Sequence, residues 1–220
     1  MLYENYLYGL PAFFTPEECK EIIRVASTIE TKSGAVGRAT ETEQDGHLND
    51  EIRSSSINWI EEQQLPIQIE NKIEEAMQQA LKETGWGYDI AYRQPYQFTT
   101  YNAPEITNKS VGDFYTWHTD AGHEVDENGH LRKLSFTLQL TSPDDYEGGY
   151  FQWLEPMQAF NSMKNSPVVD LTNSIKTLPY SVKDIGSIFF FPSFLHHQVT
   201  PVTRGTRQSF VGWCVGNQYV

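Results

Sequence analysis

A strand-like segment near the middle of the chain reads Phe114-Tyr115-Thr116-Trp117-His118-Thr119-Asp120. His118 and Asp120 stand two residues apart, and such positions on a strand point to the same face, so both side chains can reach one cation. A second strand-like segment, far along the chain, begins with His197. Two histidines and one carboxylate form the facial triad that holds Fe(II) and leaves positions open for a co-substrate and oxygen. The sequence therefore predicts an iron site formed by His118, Asp120 and a histidine of the second segment.

Arg207 matches a further requirement of such a site. It lies ten residues beyond His197, and a guanidinium group binds a carboxylate through two parallel hydrogen bonds. An arginine at this place suits a dicarboxylate co-substrate. Ser209 follows two residues later, shares the same strand face and can add a hydroxyl contact. Together these residues predict an oxygenase that depends on Fe(II) and 2-oxoglutarate and consumes O2.

The composition narrows the class of protein. The chain has 220 residues and a formal net charge of −13. This length fits one domain with a sizeable core. The negative charge disfavours nucleic acid as the main partner, because nucleic-acid binders usually carry a basic face.

Cysteine usage and hydropathy predict where the protein works. Two cysteines do not make a disulfide framework, which indicates a reducing compartment, and we expect a cytoplasmic protein. The first residues contain no basic segment followed by a long apolar run, so the sequence predicts no signal peptide. No stretch approaches about 20 consecutive apolar residues, so we expect no membrane span.

The chain changes character at about residue 88. Residues 1–87 are predicted to be a helical support region, with one helix capped by Thr15 and a second from Ile67 to Lys82. In residues 88–220 short β-rich runs alternate with turns. About eight strands are predicted: Ile90–Tyr101, Asp113–His118, Leu134–Leu140, Tyr150–Leu154, Thr177–Val182, Ser187–Phe191, His197–Val202 and Ser209–Val215. The fold class is therefore mostly β, a single oxygenase domain in which a jelly-roll catalytic core is supported by two helices.

One of these runs has a clear period of two. In Leu134–Leu140, large apolar residues alternate with Ser135, Thr137 and Gln139. This alternation predicts a half-buried strand, with its apolar side chains in the core.

Five stretches occur in an order and spacing that are specific as a set. They are Trp117-His118-Thr119-Asp120, Leu134-Ser135-Phe136-Thr137-Leu138, Pro143-Asp144-Asp145-Tyr146-Glu147-Gly148-Gly149, Phe191-Pro192-Ser193, and the run from His197 to Ser209. On these stretches residues 101–213 resemble the prolyl 4-hydroxylase superfamily, especially its PKHD-type hydroxylases and their phage relatives. The resemblance implies a double-stranded β-helix and a hydroxylase that releases succinate and carbon dioxide. Its pattern His-x-Val-x-Pro-Val assigns the third metal ligand to His197 rather than to the adjacent His196.

The resemblance also implies roles for four residues around the iron. Tyr101 and Tyr115 correspond to pocket tyrosines that donate hydroxyl groups to the co-substrate. Trp213 corresponds to an active-site tryptophan, and Arg132 to an arginine on the substrate side. Core packing of the aromatic residues and solvation of Arg132 are the alternatives.

The expected substrate follows from the same resemblance. It is a prolyl residue of a peptide or protein, with ascorbate considered as a further cofactor, and Trp117 and Trp213 suit a proline ring. A free amino acid or another small molecule is an alternative, as is a non-catalytic metal-binding jelly-roll module. The polar loop over residues 31–50 is predicted to be either a lid over the barrel mouth or a surface excursion.

Overall fold

A computed structural model describes most of the chain, namely residues 1–4, 6–34, 51–122, 125–165 and 170–218. Residues 35–50, which make up most of the predicted lid loop, lie outside these ranges. The lid therefore stays a prediction. Within the described ranges, no helix is long and apolar enough to cross a membrane.

Helices and short strands alternate along the described part of the chain. The helices are α1 (Pro16–Ala26), α2 (Ile67–Thr84), α3 (Pro104–Thr107) and α4 (Pro156–Asn165). The strands are β1 (Leu2–Glu4), β2 (Leu7–Leu10), β3 (Lys32–Ser33), β4 (Arg53–Ser54), β5 (Ser56–Ile60), β6 (Tyr92–Arg93), β7 (Tyr96–Asn102), β8 (Phe114–His118), β9 (His130–Gln139), β10 (Tyr146–Gly148), β11 (Phe151–Leu154), β12 (Ile175–Thr177), β13 (Ile188–Pro192), β14 (His197–Val199) and β15 (Val202–Asn217).

The strands form two antiparallel sheets. The larger sheet has the order β1-β2-β13-β9-β15-β7-β5-β3, with β6 and β10 also paired to β15. The smaller sheet has the order β12-β11-β14-β8-β4. Side chains of the two sheets pack together where Phe151 of β11 contacts Phe189 and Phe191 of β13, at ring-centroid distances of 4.8 and 5.2 Å. This arrangement confirms the predicted jelly roll.

Both predicted helices are present and cover the outer face of the larger sheet. The Thr15 side chain accepts a hydrogen bond from the Glu18 amide, and the Glu18 carboxylate accepts one from the Thr15 amide, so the capping box is formed. Helix α2 ends at Gly85, whose φ of 66° is readily adopted by glycine. Apolar residues of α1 and α2 share one core with Leu134, Phe136 and Phe210 of the sheet.

The N-terminal region contributes more than helices. Strands β1 to β5 all lie before residue 61, and β2 and β5 pair with core strands β13 and β7. The sequence did not indicate these strands because most are too short to show a period. Helix α4 was also not predicted.

Three predicted strands are interrupted in the structure, each beside a proline. The run His197–Val202 is divided between β14, which ends at Val199, and β15, which begins at Val202 after Pro201. The run Ile90–Tyr101 is split into β6 and β7 on either side of Pro95. The prediction of a strand over Thr177–Val182 is wrong, because β12 ends at Thr177 and Tyr180–Val182 forms a 3₁₀ turn after Pro179. Proline has no amide hydrogen to donate to a strand neighbour, which favours all three interruptions.

A buried carboxyl group joins α2 to the larger sheet. Glu70 Oε2 accepts a hydrogen bond of 2.6 Å from the Tyr96 hydroxyl and lies 3.4 Å from a guanidinium nitrogen of Arg93. Its other oxygen, Oε1, is buried and has no hydrogen-bond partner among the described residues. Burial outweighs the Tyr96 hydrogen bond and the Arg93 charge and raises the pKa of Glu70 to about 7.

We expect this carboxyl group to lower folding stability as the pH rises from about 4.5 to about 7. In that window the folded protein keeps the Glu70 proton while the unfolded chain loses it, so folding becomes less favourable with increasing pH. Glu70→Gln cannot ionise and should be more stable than the wild type near pH 8, by about 3 kcal/mol, but not at acidic pH. Urea denaturation at the two ends of the window measures the difference.

Glu74→Gln is the matched control for this prediction. Glu74 also pairs with Arg93, at 3.0 Å, but its side chain is 44 % exposed. Its replacement should leave the pH dependence of the wild type in place. An unchanged pH dependence in Glu70→Gln would contradict the assignment.

Candidate metal centre and co-substrate pocket

The smaller sheet brings the three predicted metal ligands together. β14 pairs with β8 so that His197 stands opposite His118, and Asp120 follows β8 by two residues. The Nε2 atoms of His118 and His197 each lie 3.8 Å from an Asp120 carboxylate oxygen. One ligand atom from each residue falls within 4.8 Å of the others. These distances place one carboxylate and two imidazole nitrogens around a single point.

Backbone carbonyl groups fix the tautomer of both imidazole rings. The Nδ1 atom of His118 lies 2.7 Å from the Thr116 carbonyl oxygen, and that of His197 lies 2.9 Å from the Leu195 carbonyl oxygen. Since a carbonyl oxygen only accepts, each Nδ1 carries the hydrogen and each Nε2 presents a lone pair towards Asp120. Burial, followed by the neighbouring His197, lowers the pKa of His118 to about 3, so this ring is a neutral ligand at physiological pH.

A β-bulge explains which residues of β8 face the metal centre. Val199 pairs with Tyr115 and His197 with His118, so β8 has one residue more than β14 over the same distance. The bulge turns Tyr115 to the same face as His118, and the two rings stack with centroids 3.5 Å apart. Trp117 is not among the described residues that line the pocket. Contact of Trp117 with a proline ring stays a prediction.

His196 takes no part in this cluster. Its side chain is exposed, whereas its neighbour His197 is 5 % exposed. Adjacent strand residues point in opposite directions, which accounts for the difference.

The metal centre lies in a cavity of about 730 Å³ between the two sheets. All nine residues predicted to form the site line this cavity: Tyr101, Tyr115, His118, Asp120, Arg132, His197, Arg207, Ser209 and Trp213. Burial raises the pKa of Tyr101, and it raises that of Tyr115 to about 12. Both hydroxyl groups therefore remain protonated at physiological pH and can donate hydrogen bonds into the cavity.

Arg207 is a buried cation whose hydrogen-bond acceptors are neutral. It is 2 % exposed, and its guanidinium donates to Gln139 Oε1 at 3.2 Å and, at the long distance of 3.5 Å, to Ser209 Oγ. Among the described residues no carboxylate forms an ion pair with it. A buried charge is costly without a counter-ion, so the cavity has a place for an anionic group at Arg207.

Gly149 makes room for this arginine. Its φ is +56°, and a Cβ atom there would lie 2.9 Å from Arg207 Cδ. Gly149 is the second of the two glycines that end the stretch from Pro143. The close approach gives the second glycine a specific reason to be there.

Aromatic and basic side chains form another wall of the cavity. The guanidinium of Arg132 lies 4.0 Å from the Trp213 ring centroid and donates to Gln94 Oε1 at 2.6 Å. The Trp213 ring also contacts Trp59, with centroids 5.9 Å apart. Trp213 is 5 % exposed, and its Nε1 has no hydrogen-bond partner among the described residues. This wall offers an apolar surface with an indole donor.

Arg53 is a cavity residue that the sequence reasoning missed. It lies on β4, paired with Tyr115 of β8, and its guanidinium is 4.7 Å from the Tyr115 ring centroid. It donates to Ser55 Oγ at 2.8 Å and to Gln97 Oε1 at 2.7 Å. β4 is two residues long, so no periodicity could have indicated it.

The comparisons with known proteins agree with this fold and site. The family model of the 2OG-Fe(II) oxygenase superfamily matches residues 97–215. This match covers more than half of the chain, which therefore belongs to that superfamily. Membership and the cluster of His118, Asp120 and His197 imply Fe(II) as the metal and 2-oxoglutarate as the co-substrate.

Individual similar proteins agree with the assignment to this superfamily. A PKHD-type hydroxylase from Hyphomonas neptunium is 38 % identical over 124 residues, which are 56 % of this chain and 46 % of the relative. The chain thus matches less than half the length of that curated relative. A viral collagen prolyl hydroxylase from Paramecium bursaria Chlorella virus-1 superimposes with a TM-score of 0.60 at 15 % identity, covering 96 % of both chains. A Trichoplax adhaerens prolyl hydroxylase in complex with a hypoxia inducible factor peptide fragment gives a TM-score of 0.61 at 15 % identity, covering 96 % of this chain and 83 % of its own. At this identity the two structures establish the shared fold.

Proposed function

We propose that this chain is an Fe(II)- and 2-oxoglutarate-dependent dioxygenase that hydroxylates a C–H bond of a prolyl residue in a peptide or protein. The observation that carries the proposal is the buried Arg207 in the same cavity as the metal centre. A structural metal site needs no buried cation without an acidic partner, whereas a dicarboxylate co-substrate needs one at its distal end.

The donor set of the metal centre fits Fe(II). His118 and His197 offer neutral Nε2 lone pairs, and Asp120 supplies the anionic ligand. When bound, Fe(II) and 2-oxoglutarate supply the oxidising chemistry, with O2 consumed and succinate and carbon dioxide as co-products. The protein residues provide position, charge and exclusion of water.

The remaining cavity residues divide between the two organic molecules. Arg207 and Ser209 hold the distal carboxylate of the co-substrate, and the protonated Tyr101 hydroxyl donates a hydrogen bond to it. Trp213 and Arg132 face the substrate. The Trp213 ring offers an apolar surface to a pyrrolidine ring, and its unpaired Nε1–H can donate to a substrate carbonyl oxygen.

The peptide nature of the substrate is supported by the shape of the site and by the relatives. Trp59 lines the cavity beside Trp213 and is 37 % exposed, so this wall reaches the protein surface, where we expect an extended chain to bind. The Trichoplax adhaerens prolyl hydroxylase shares the fold, and its structure is in complex with a peptide fragment. These features favour a residue within a chain over a free amino acid.

Incubation with Fe(II), 2-oxoglutarate, ascorbate and a library of proline-containing peptides should add the mass of one oxygen atom to proline. Tandem mass spectrometry locates the modified residue, and succinate formation measures the coupled reaction. Free proline and other free amino acids form a parallel arm of the experiment. Hydroxylation in that arm alone would overturn the peptide assignment, and the absence of succinate in both arms would overturn the activity itself.

A further inference from the structure

The two histidine rings of the metal centre are held in different ways. The His197 ring packs against two buried phenylalanine rings, those of Phe151 and Phe191, at centroid distances of 5.3 and 4.7 Å. Within the described part of the chain, the aromatic rings that contact His118 are those of His197 and Tyr115. The bond between Cβ and a histidine ring restricts the rotation of that ring only weakly. The orientation of the His118 ring therefore depends strongly on Tyr115.

Tyr115 contacts His118 through a face-to-face stack. The two ring centroids lie 3.5 Å apart, and the ring planes are inclined by only 13°. The stack fixes the plane of the imidazole, and the hydrogen bond from Nδ1 to the Thr116 carbonyl oxygen fixes one of its edges. Together these two contacts set the direction of the Nε2 lone pair. That direction is therefore only as well defined as the position of the Tyr115 ring.

Arg53 lies against the Tyr115 ring. It is the residue of β4 that pairs with Tyr115 of β8, and its guanidinium carbon lies 4.7 Å from the Tyr115 ring centroid. A guanidinium at this distance from an aromatic ring is attracted to the negative face of the ring. Tyr101 and Val199 also pack near Tyr115 in a small apolar cluster, but apolar packing is non-directional. Arg53 is thus the neighbour that can hold the ring in one orientation.

The side chain of Arg53 joins the two sheets. Its backbone belongs to the smaller sheet, whereas its guanidinium donates at 2.7 Å to Gln97 Oε1 on β7 of the larger sheet. Its Nε donates to Ser55 Oγ at 2.8 Å, and the same Gln97 oxygen accepts a hydrogen bond of 3.2 Å from the Thr99 hydroxyl. Arg53 is 5 % exposed. A series of contacts therefore runs from the larger sheet through Arg53 and Tyr115 to the His118 ring.

We propose that Arg53 and the ring of Tyr115 are positioning residues that orient the His118 imidazole for metal binding. The proposal rests on the iron site of the proposed function. It gives the Tyr115 ring a role that is separate from any hydrogen bond of its hydroxyl group to the co-substrate. Arg53 acts through Tyr115, and Tyr115 acts on the metal ligand. Residues that orient a metal ligand from outside the ligand set commonly contribute about 10- to 100-fold to metal affinity.

The charge of Arg53 gives this proposal a test that depends on sign. A cation beside the metal centre repels a divalent ion, so if Arg53 acted through its charge alone, its removal would tighten metal binding. Arg53→Met keeps the length of the side chain and removes both the charge and the hydrogen bonds. Positioning predicts the opposite result, a weakening of Co(II) binding by about tenfold.

Titration of the metal-free full chain with Co(II) measures this effect without relying on turnover. The visible absorption of bound Co(II) reports the ligand geometry, and its growth during the titration gives the affinity. Tyr115→Leu removes the flat ring, so it should weaken Co(II) binding by about tenfold and change the spectrum. Tyr115→Phe keeps the ring without the hydroxyl group and should bind Co(II) like the wild type. A loss in Tyr115→Phe equal to that in Tyr115→Leu would overturn the role of the ring.

The double variant Arg53→Met/Tyr115→Leu tests whether the two residues act in series. If Arg53 acts through the Tyr115 ring, the double variant should bind Co(II) no more weakly than Tyr115→Leu. Losses that simply add would overturn this connection. Should Arg53→Met fail to fold, Arg53→Lys takes its place. Lysine keeps the charge but lacks the planar fork of the guanidinium, so weaker Co(II) binding in this variant would support positioning, and unchanged binding would overturn it.

Lys183→Met is the matched control. Lys183 also lies over a tyrosine ring, 4.3 Å from the centroid of Tyr150, but neither residue lines the cavity. Its replacement should leave the affinity for Co(II) and the spectrum unchanged. Unchanged or tighter Co(II) binding in Arg53→Met, together with its loss in Asp120→Ala, would overturn the positioning role and leave the iron site standing. A wild-type chain that binds no Co(II) would overturn both.

Discussion

Asp120→Ala is expected to abolish succinate formation and to weaken metal binding more than any other single replacement in the site. Asp120 is the anionic member of a cluster whose other members, His118 and His197, each present an Nε2 lone pair. Two imidazole nitrogens alone hold a divalent cation poorly, because the carboxylate supplies the charge that offsets the desolvation of the ion. Fe(II) titration under anaerobic conditions and a succinate assay measure the two losses.

Two histidine variants complete this experiment. His197→Ala should resemble Asp120→Ala, because it removes a ligand whose ring is already oriented by the Leu195 carbonyl group. His196→Ala changes the neighbouring exposed residue and should retain nearly full activity. An equal loss of activity in the two histidine variants would contradict the assignment of the third ligand. Normal turnover by Asp120→Ala would contradict the assignment of the metal centre itself.

The metal ligands could be predicted from the sequence because their geometry is mostly local. His118 and Asp120 share a face through strand periodicity alone. The prediction of His197 needed information beyond the local sequence, because nothing local places this residue opposite His118. Only the spacing of the later motif indicated it. The stacking of Tyr115 on His118 depends on a bulge in the pairing of β8 with β14. A bulge is a property of two paired strands and cannot be read from one of them.

Strand β9 shows a different limit of sequence reasoning. The alternation of Leu134, Phe136 and Leu138 with polar residues correctly predicts a strand with two unlike faces. It does not say whether the polar face meets water or a polar cavity, because both environments satisfy hydroxyl and amide groups. In this fold the polar face meets the cavity, so the prediction of a half-buried strand is wrong on this point, and Gln139 accepts a hydrogen bond from Arg207 there. Arg53 was missed for a third reason, since a strand of two residues has no pattern to detect.

Arg207→Ala is expected to raise the apparent KM for 2-oxoglutarate by about 30-fold or more, which corresponds to the roughly 2–5 kcal/mol lost when a buried charge loses its partner. Arg207 is buried beside Gln139 and Ser209 and has no carboxylate partner among the described residues, so we expect a carboxylate of the co-substrate to be its counter-ion. Metal binding should survive, because the guanidinium lies outside the ligand set. Initial rates of succinate formation against 2-oxoglutarate concentration measure the change.

Thermal unfolding separates a binding role of Arg207 from a structural one. At a fixed concentration, a ligand that binds the folded state raises the melting temperature by an amount that grows with the logarithm of its affinity. 2-Oxoglutarate with Mn(II) should therefore stabilise the wild type and have little effect on Arg207→Ala. Without ligand, the variant should lose little stability, because removing a buried charge that lacks an acidic partner also removes its desolvation cost. Arg204→Ala is the control, since Arg204 is 53 % exposed and pairs with Glu147 at the surface, where such pairs contribute little. If Arg207→Ala lost metal binding and kept its affinity for 2-oxoglutarate, the anion site would have to be sought elsewhere in the cavity.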